Sequence, residues 1–579
     1  MTQKYYQEEL QLLRELAVEF AEAHPALAPM LTGASQDPDV ERLLEGTAFM
    51  TGMLREKLDD DFPEIIQGLM QLVFPHYLQP IPAATLMAFT PKPNLTQSFT
   101  LASGTAIDSV PVKDKPCRFQ TCGDVEVHPL RITAVETEEK IGHSPLLRIH
   151  FQLSGLTLDQ WQPSRLRLHL PGAIGEAADL YALLERHTAR IRFVPEKDGQ
   201  PAAVPASFLK NSLSGDHAPL LPYPGQSLSI YRLLQEYFIL PEQFLFLDLY
   251  GWDQWRDRGT GERFAVEFEL RKPEKMPRDV KAESFALFVV PAINLFAHEA
   301  APITLDHRQS EYRVLPSGKD RDHYSVFSVE KVLGIVQGTV QKREYKPFEN
   351  FHETPGSKEA NGRYFVRRRM GAHVQTPRMF IGVGYPEENP VRTETLSIDL
   401  LCTNGERPAA LQAGDICKAT SSSPELCTFK NIRYPTKMAH PPLDRNLLWN
   451  LLSHLSVNLM SITDAESLQT LLRLYVFSAM QEQGVVQANL KRIQAIGSVS
   501  CKPGNRVIRG GVIRGYDIEI KINSANFASR GDFFLFCGIL DRFFAEYAAI
   551  NSYTRLTIID ELSGETNQWP IRIGKKQIS

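Results

Sequence analysis

The chain has 579 residues, of which 43% are hydrophobic and 23% are charged, and its formal net charge is -5. This length exceeds what one hydrophobic core supports and predicts about three or four domains. The small net charge argues against an extensive basic surface for nucleic acid, because counterion release needs many clustered Lys and Arg side chains.

Three helices are predicted before residue 75, each ending near a proline. In the first and second helices, apolar residues recur at steps of three and four and form one seam, which needs a partner surface to cover it. The second helix is expected to begin at Asp37-Pro38, an acceptor followed by a residue without an N–H group. The third is expected to run from Pro63 to Phe74. The seam residues are Tyr6, Leu10, Leu13, Ala17, Phe20, Val40, Leu44, Leu54 and Leu58.

The segment that follows the third helix adds His76 and Tyr77 to this candidate partner-binding set. The imidazole of His76 can hydrogen-bond a partner, although a structural histidine that closes a helix end is the stronger alternative. The acidic run Asp59 to Asp61 suits the approach to a helix N-terminus better than acid–base catalysis, since adjacent residues diverge around a helix.

After Pro82 the apolar period changes from helical to alternating, which indicates half-buried strands. In the segment 165–170 the leucines are expected to face inward and Arg165, Arg167 and His169 outward. Segments 244–252 and 264–270 are expected to alternate in the same way, and a helix is predicted from Glu176 to Thr188. The basic cluster Arg363, Arg367, Arg368 and Arg369 is interpreted as a solvated or ion-paired strand face.

Helices return after Pro441. A leucine stripe at 448, 452, 455 and 459 predicts one helix, and Thr463 with Glu466 predicts a capping box for the next. A third is expected to stop at Gly497. Arg514 to Ile522 reads as a strand. A last helix is expected from Asp532 to Ile550, with an inward stripe of Phe536, Leu540, Phe543 and Tyr547, and a final strand follows it. The predicted domains are 1–83, 84–300, 301–440 and 441–579.

Motifs for catalysis and for metal binding are missing from the sequence. No phosphate-binding loop, nucleophile elbow or zinc-protease motif occurs, and Pro302 stands where a second histidine would have to follow His298-Glu299. Cys117 and Cys122 lack further ligands for a metal. The odd count of seven cysteines, without a C-x-x-C pair, indicates reduced thiols. We therefore predict no catalytic residue, no cofactor and no metal, and hence no enzyme.

The N-terminus lacks the apolar core of a signal peptide, and the longest apolar run, Phe285 to Phe296, is too short to cross a bilayer. We expect a cytoplasmic protein that meets a membrane only through partners.

Seven segments of the chain resemble one family, the TssF baseplate subunits of bacterial type VI secretion systems. Four of them lie near the N-terminus: EFAEAHPALAP at 19–29, DPDVERLLEG at 37–46, KLDDDFPE at 57–64 and PHYLQPIP at 75–82. The other three are PAINLFAHEAAPITLDH at 291–307, LLCTNGERPAAL at 400–411 and FCGILDRFFAEYAAINSYTRL at 536–556.

The resemblance implies a structural subunit. Two copies would join one copy of TssG through a shared helical bundle and form a wedge. Wedges would surround the VgrG spike hub, contact TssK and TssE, dock at the inner membrane through these partners, and support sheath assembly and contraction. The implied fold is a multidomain α+β protein with an N-terminal helical segment, a large mainly-β middle and an α+β C-terminal domain, similar to wedge proteins of contractile phage baseplates.

A rival interpretation is an enzyme of several strand-rich modules that acts on a polymer such as a glycan. Such a site needs only two carboxylates, which can come from distant positions and leave no linear motif.

Overall fold

The structure is a computed structural model. It describes residues 2–23, 38–59, 67–71, 74–139, 144–213, 219–223, 229–271, 279–336, 342–348, 362–370, 377–384, 393–441, 464–477, 483–508, 511–546, 548 and 552–574. These residues fall into two compact units. The first, here called the helical unit, contains the described residues up to Leu78, and the second, the strand-rich unit, contains those from Gln79 onward.

The helices with defined bounds are α1 (Thr2–Ala23), α2 (Pro38–Asp59), α3 (Ile174–His187), α4 (Ser229–Ile239), α5 (Ala465–Arg473), α6 (Gln483–Gln494) and α7 (Arg530–Glu546).

The first fifteen strands are β1 (Ala84–Pro91), β2 (Phe99–Leu101), β3 (Ala106–Val112), β4 (Lys115–Thr121), β5 (Val125–Val127), β6 (Leu130–Glu138), β7 (Leu146–Leu153), β8 (Leu166–His169), β9 (Thr188–Pro195), β10 (Ala202–Pro205), β11 (Leu209–Asn211), β12 (Phe246–Leu249), β13 (Arg263–Leu270), β14 (Ala286–Leu287) and β15 (Val289–Ile293). The remaining strands are β16 (Phe296–Glu299), β17 (Ile303–Leu305), β18 (Tyr312–Arg313), β19 (Ser325–Val336), β20 (Lys342–Pro347), β21 (Arg363–Met370), β22 (Pro377–Gly384), β23 (Glu394–Thr403), β24 (Ile416–Lys418), β25 (Cys427–Asn431), β26 (Ile496–Ile508), β27 (Gly511–Ile522), β28 (Ser552–Asp560), β29 (Thr566–Gln568) and β30 (Arg572–Ile573).

In the helical unit, α1 packs against α2. The contact side of α2 carries the small residues Ala48 and Gly52, both buried, which allow close approach. Arg14 of α1 donates a hydrogen bond of 2.7 Å to Glu41 of α2. The two predicted N-terminal helices are confirmed. Of the predicted third helix, residues 67–71 are helical and the others at its start lie outside the described residues.

The strand-rich unit begins with a six-stranded sheet in the order β24-β3-β4-β15-β1-β25. Strand β1 pairs antiparallel with β15 on one side and with β25 on the other, where Phe89 lies opposite Phe429. One sheet thus combines strands from before and after residue 300, and the domain boundaries given by the sequence stay a prediction.

A five-stranded sheet, β10-β9-β13-β7-β6, places β13 at its centre. The sequence predicts alternating buried and exposed residues in 264–270, and this prediction is wrong for β13. Both faces of the strand are covered, since Ala265 and Glu267 are buried and so are Phe264, Val266 and Phe268. The buried carboxylate of Glu267 is compensated by Arg148 at 2.6 Å and Arg192 at 3.3 Å. A buried charge is stable only with such partners.

In the four-stranded sheet β11-β12-β8-β14, His169 does not face outward as predicted. Leu166 and Leu168 face the interior as predicted, but His169 is also buried, and its ring centroid lies 4.6 Å from that of Phe246. The side chain of Phe246, which lies directly opposite His169 on β12, covers the imidazole on this second face. Alternation alone cannot distinguish such a strand from one with a solvated face.

The next sheet contains the basic cluster. Its strand order is β16-β23-β19-β20-β21-β22-β18, and β17 pairs with β23. Arg367 and Arg369 of β21 bind the same carboxylate, Glu311, at 2.9 and 3.0 Å. Arg368 donates to the carbonyl of Phe327, and burial lowers its pKa to about 10. For Arg367 and Arg369 the predicted ion-paired strand face is confirmed.

The last sheet has the order β26-β27-β28-β29, with β30 also on β28. Its helix α7 is apolar on nearly every side, because α3, α4 and β28 all contact it. Gly531 permits the closest of these approaches. A Cβ at this position would lie 2.2 Å from the carbonyl oxygen of Ala178 in α3.

Several C-terminal predictions can be compared with the structure. The predicted inward stripe of α7 is confirmed for Phe536, Leu540 and Phe543, which are buried. The residue that caps α5 is Asp464, whose carboxylate accepts from the amide of Ser467 at 3.1 Å, not Thr463. An aspartate holds the amide as well as a threonine does. Helix α6 ends at Gln494, so Gly497 lies in β26. The leucine stripe at 448–459, Thr463 and Tyr547 lie outside the described residues.

Candidate protein-interaction surface

Helix α2 presents large apolar side chains to solvent. The exposed fractions are 70% for Leu43, 49% for Phe49, 62% for Met50 and 43% for Met53. Because each residue advances about 100° around a helix, these four fall within about 120° on one face. We call these four residues the α2 stripe.

The opposite face of α2 is apolar too. Ala48 and Gly52 are buried there and Leu44 is half-buried. An amphipathic helix that packs on a single partner needs one apolar face, with charged and polar residues on the other. Helix α2 has two such faces, and the face carrying the α2 stripe remains open to solvent.

Two hydroxyl groups near the α2 stripe are already engaged. The hydroxyl of Thr47 donates to the carbonyl of Leu43 at 2.8 Å, and that of Thr51 donates to the carbonyl of Thr47 at 2.8 Å. The hydroxyl groups of these threonines therefore already have hydrogen-bond acceptors within their own helix. A partner that covers the stripe would not have to desolvate free hydroxyl groups beside it.

Helix α1 adds a smaller apolar area. Leu12 and Leu16 are 44% and 48% exposed and lie four residues apart, so they are neighbours on one side of the helix. Val18, with an exposed fraction of 49%, points away from them. Exposed single leucines are common on protein surfaces, but several large ones on two packed helices indicate a contact surface.

The structure places the sequence-predicted partner-binding residues in three groups. Those that are half-buried are Tyr6, Leu10, Leu13, Ala17 and Leu44. Those whose side chains lie outside the described part of the chain are Phe20, Val40, Leu54 and Leu58. Those that are buried, in the short 3-10 helix Pro75–Leu78, are His76 and Tyr77.

Sequence reasoning did not identify the α2 stripe. It followed a single seam, whereas Leu43, Met50 and Met53 recur at spacings of seven and three on another side of the same helix. That spacing is also helical and could have been found by testing both sides of the wheel. Methionine suits a contact surface, because its flexible thioether adapts to irregular apolar partners.

The N-terminal region is strongly acidic. Residues 1–78 contain 5 Lys and Arg against 14 Asp and Glu, a net charge of -9, whereas the whole chain contains 63 against 68. The remaining residues are therefore slightly basic. This separation gives the helical unit a negative field that favours basic partners.

The residues considered for catalysis and metal binding are separated or engaged in structural contacts. His298 lies 3.2 Å from the carbonyl of Ser317 through its Nε2 atom. Burial raises the pKa of the Cys117 thiol to about 11 and raises that of Cys122 further, so both are held as neutral thiols. Within the described residues, no group of three or more His, Cys, Asp or Glu side chains is arranged to hold a metal ion.

A shallow depression between β5, β8 and β15 contains the two carboxylates Asp124 and Glu126. Arg165 and Arg167 line the same depression. Arg167 is already paired with Asp248 through two contacts of 2.7 Å.

Among the helices of the described segments, none combines the length and apolar character that crossing a bilayer requires.

The comparisons agree with one another. The family model described as "Type VI secretion system, TssF" matches residues 1–576. The type VI secretion system component TssF1 of Pseudomonas aeruginosa is 29% identical over 629 aligned positions, which cover 99% of this chain and 98% of that protein.

Two solved structures are similar over most of the chain. One, a cryo-electron microscopy structure of the type VI secretion system TssK-TssF-TssG baseplate subcomplex, contains a chain with a TM-score of 0.77 and 28% identity, covering 92% of this chain and 98% of that one. The other, the baseplate complex from the type VI secretion system, contains a chain with a TM-score of 0.60 and 23% identity that covers all of both chains and is similar in fold.

Proposed function

The chain belongs to the TssF family of the type VI secretion system, and we propose that it acts as a structural subunit of the baseplate. In this role it forms a wedge with a TssG-type subunit, two copies of this chain for each copy of the partner. The wedge contacts TssK-type and TssE-type subunits and surrounds the VgrG spike hub. It supports the assembly and contraction of the sheath from the cytoplasmic side of the inner membrane, where partners dock it.

The α2 stripe carries this proposal. Its side chains lie on a packed helix pair. A partner therefore buries apolar surface without the loss of conformational entropy that folding a disordered segment would require. Covering Leu43, Phe49, Met50 and Met53 contributes on the order of 1 kcal/mol for each side chain, since each is only partly exposed at the start. The α2 stripe can hold a helix of another subunit, and Leu12 and Leu16 on α1 offer a smaller second area.

The sequence-predicted seam belongs to the same proposal. Tyr6, Leu10, Leu13, Ala17 and Leu44 keep part of their surface accessible, and Phe20, Val40, Leu54 and Leu58 continue the same apolar pattern in the sequence. We propose that these residues form a second apolar contact in the shared bundle, on a different side of the helix pair from the α2 stripe, while His76 and Tyr77 fix the segment that follows it. The solved TssK-TssF-TssG subcomplex supports TssG-type and TssK-type proteins as the partners.

The mechanism on this view is mechanical. A baseplate subunit holds its neighbours until a rearrangement of interfaces starts contraction, so two alternative packings replace an active site.

Co-purification tests the proposal. The chain is co-expressed with the TssG-type and TssK-type subunits of its own bacterium, and an affinity tag on the TssG-type subunit is used for capture. The wild-type chain should co-purify. Leu43→Asp together with Met50→Asp should reduce its recovery at least about tenfold, because two buried charges oppose apolar packing.

Leu562→Asp is the matched control. Leu562 is 69% exposed, close to the 70% of Leu43, but it lies on the turn after β28 in the strand-rich unit. Its replacement should leave co-purification unchanged. Capture of the Leu43→Asp, Met50→Asp variant at the wild-type level would show that the α2 stripe is not the contact.

A further inference from the structure

A glycine lies at the centre of the α2 stripe. Gly46 is in the interior of α2, and it is exposed. Because each residue advances about 100° around the helix, all four residues of the α2 stripe lie within about 60° of Gly46. Those on one side of it are Leu43 and Met50, and those on the other side are Phe49 and Met53. The α2 stripe therefore has a gap in its middle, where another molecule can approach the backbone of α2.

The described part of the chain does not explain this glycine. Glycine in the middle of a helix is less favourable than alanine, because it loses more conformational freedom when the chain folds. Gly531 shows what a required glycine looks like, since a Cβ there would lie 2.2 Å from the Ala178 carbonyl. At Gly46, apart from the backbone of α2 itself, no atom of the described residues lies within 4 Å of the position of a Cβ. A close contact that requires glycine at this position would have to come from another molecule.

A helix is the element that such a gap accepts. The axes of packed helices lie about 8–10 Å apart, and a glycine at the crossing point allows the shorter of these distances. The side chains on either side of Gly46 then form two ridges, and a bulky apolar side chain of the other helix enters between them. Met50 and Met53 are flexible enough to pack closely around it.

The charge of the helical unit argues against a second copy of this chain as the occupant. Residues 1–78 carry 5 Lys and Arg against 14 Asp and Glu, so two helical units in contact would repel each other. Directly beside the α2 stripe, Arg42 and Asp39 form an ion pair of 3.3 Å and balance each other. The occupant therefore has an apolar contact face, and its basic residues lie outside that face.

We propose that a helix of the TssG-type subunit crosses α2 at Gly46, with one bulky apolar side chain inserted between the two sides of the α2 stripe. This inference rests on the baseplate role proposed above and deepens it, because it names the occupant of the α2 stripe and the residue that sets how closely the occupant packs. The wedge proposed above joins this chain to a TssG-type subunit, and the solved TssK-TssF-TssG subcomplex contains a chain similar to this one.

A simpler explanation is that Gly46 is a tolerant surface position. In that case a larger apolar side chain at this position would add to the α2 stripe and strengthen the binding of a partner. The proposed crossing predicts the opposite, because the added side chain would fill the space that the partner helix occupies. The two explanations therefore differ in the direction of one measured change.

A size series at Gly46 measures that change. Gly46→Ala and Gly46→Leu are each co-expressed with the TssG-type and TssK-type subunits and captured through the tagged TssG-type subunit. Recovery should fall about threefold for alanine and at least about tenfold for leucine, because the larger side chain overpacks the crossing more. Both residues favour a helix more than glycine does. The helix content and melting temperature of the full-length variants should therefore not fall, which separates a lost contact from a lost fold.

Gly484 in α6 provides the matched control. Among the described residues, a Cβ at Gly484 also meets nothing within 4 Å, but this helix belongs to the strand-rich unit. Gly484→Ala and Gly484→Leu should leave recovery unchanged. Unchanged or greater recovery of Gly46→Leu would overturn the crossing at Gly46 and leave the baseplate role intact.

Site-specific photo-crosslinking identifies the occupant. Benzoylphenylalanine replaces Phe49 in the full chain, which is assembled with the TssG-type and TssK-type subunits, irradiated and analysed by mass spectrometry. The crosslink should join an apolar helical segment of the TssG-type subunit. The same probe at Phe348, which is 54% exposed in the strand-rich unit, should not label that segment. No crosslink, or a crosslink to the TssK-type subunit or to another copy of this chain, would overturn the named occupant. A wild-type chain that assembles with neither subunit would overturn the baseplate role as well.

Discussion

The guanidinium of Arg492 on α6 binds the carboxylate of Asp532 in the first turn of α7 through three hydrogen bonds of 2.8 to 3.1 Å. The two side chains are 8% and 1% exposed. Burial opposes the charge of Arg492, whereas its contacts with Tyr237 and Asp532 raise its pKa above the ordinary value, so the guanidinium stays charged. The pair fixes α6 against α7.

Removal of one partner should therefore be costly. Asp532→Ala leaves a buried guanidinium without its counter-ion and should lower the free energy of unfolding of this region by about 3–5 kcal/mol. Urea denaturation, monitored by hydrogen exchange of the α7 amides, measures this loss of stability. The control is Glu565→Gln, which breaks an ion pair with Arg186 at 3.0 Å whose side chains are 41% and 36% exposed. Its cost should be below about 1 kcal/mol. Equal losses for the two variants would contradict this account.

The contact of Gly531 with α3 predicts a steric effect. Gly531→Ala places a methyl group 2.2 Å from the Ala178 carbonyl and should destabilise the chain by about 1–3 kcal/mol, because neither backbone can retreat within the packed core. Gly484 of α6 is the matched control, since a Cβ there meets nothing within 4 Å. Gly484→Ala should stabilise the chain by up to about 1 kcal/mol. Thermal unfolding of both variants measures these changes in stability. An unchanged melting temperature for Gly531→Ala would refute the close approach of α7 to α3.

Arg258 holds together the tryptophan core of the strand-rich unit. Its guanidinium donates to the carbonyls of Trp161, Trp252 and Trp255, the last at 2.8 Å from Nε. Arg258→Lys keeps the positive charge but loses the planar guanidinium that reaches three carbonyls at once. The free energy of unfolding should fall by about 1–3 kcal/mol for each carbonyl left unpaired. Tryptophan emission should shift to longer wavelength at lower urea concentrations. Arg256→Lys, at an exposed position two residues away, should leave the transition unchanged.

Two buried histidines predict how stability depends on pH. Burial lowers the pKa of His128 to about 4 and that of His169 to about 3, although a hydrogen bond with the backbone of Leu245 partly opposes the shift of His169. Both values lie below the ordinary 6.5, so the unfolded chain binds protons first. The stabilisation is complete above pH 6.5 and is lost as pH falls toward 4 and then 3. For His128 it amounts to about 3 kcal/mol.

The variant His128→Asn checks this assignment. The Nδ1 atom of His128 lies 2.7 Å from the hydroxyl of Ser98, and an asparagine side chain can still meet this hydroxyl. Urea transitions of the wild type and the variant, measured between pH 7.5 and 4.5, should converge as pH falls. Parallel curves would show that His128 does not titrate between the folded and unfolded states.

Local features of the fold could be predicted from the sequence, and features set by distant packing could not. The start of α2 at Pro38 and the inward stripe of Phe536, Leu540 and Phe543 depend on residues close together in the chain. The burial of His169 depends on Phe246 of β12, and that of Glu267 in β13 depends on Arg148 of β7 and Arg192 of β9. Alternation within one strand carries no information about those neighbours.

The candidate site shows the same division. The helical seam was visible as a period in the sequence, but which side of α2 stays open depends on where α1 packs. That choice left Leu43 and Met50 exposed and Leu44 half-buried.

Native mass spectrometry of the complex purified through the TssG-type subunit tests the central claim most directly, because it counts subunits. The account predicts a particle with two copies of the 65.3 kDa chain for each TssG-type subunit, and loss of both copies when Leu43→Asp and Met50→Asp are combined. A chain that remains a lone monomer in the presence of its TssG-type and TssK-type subunits would contradict it.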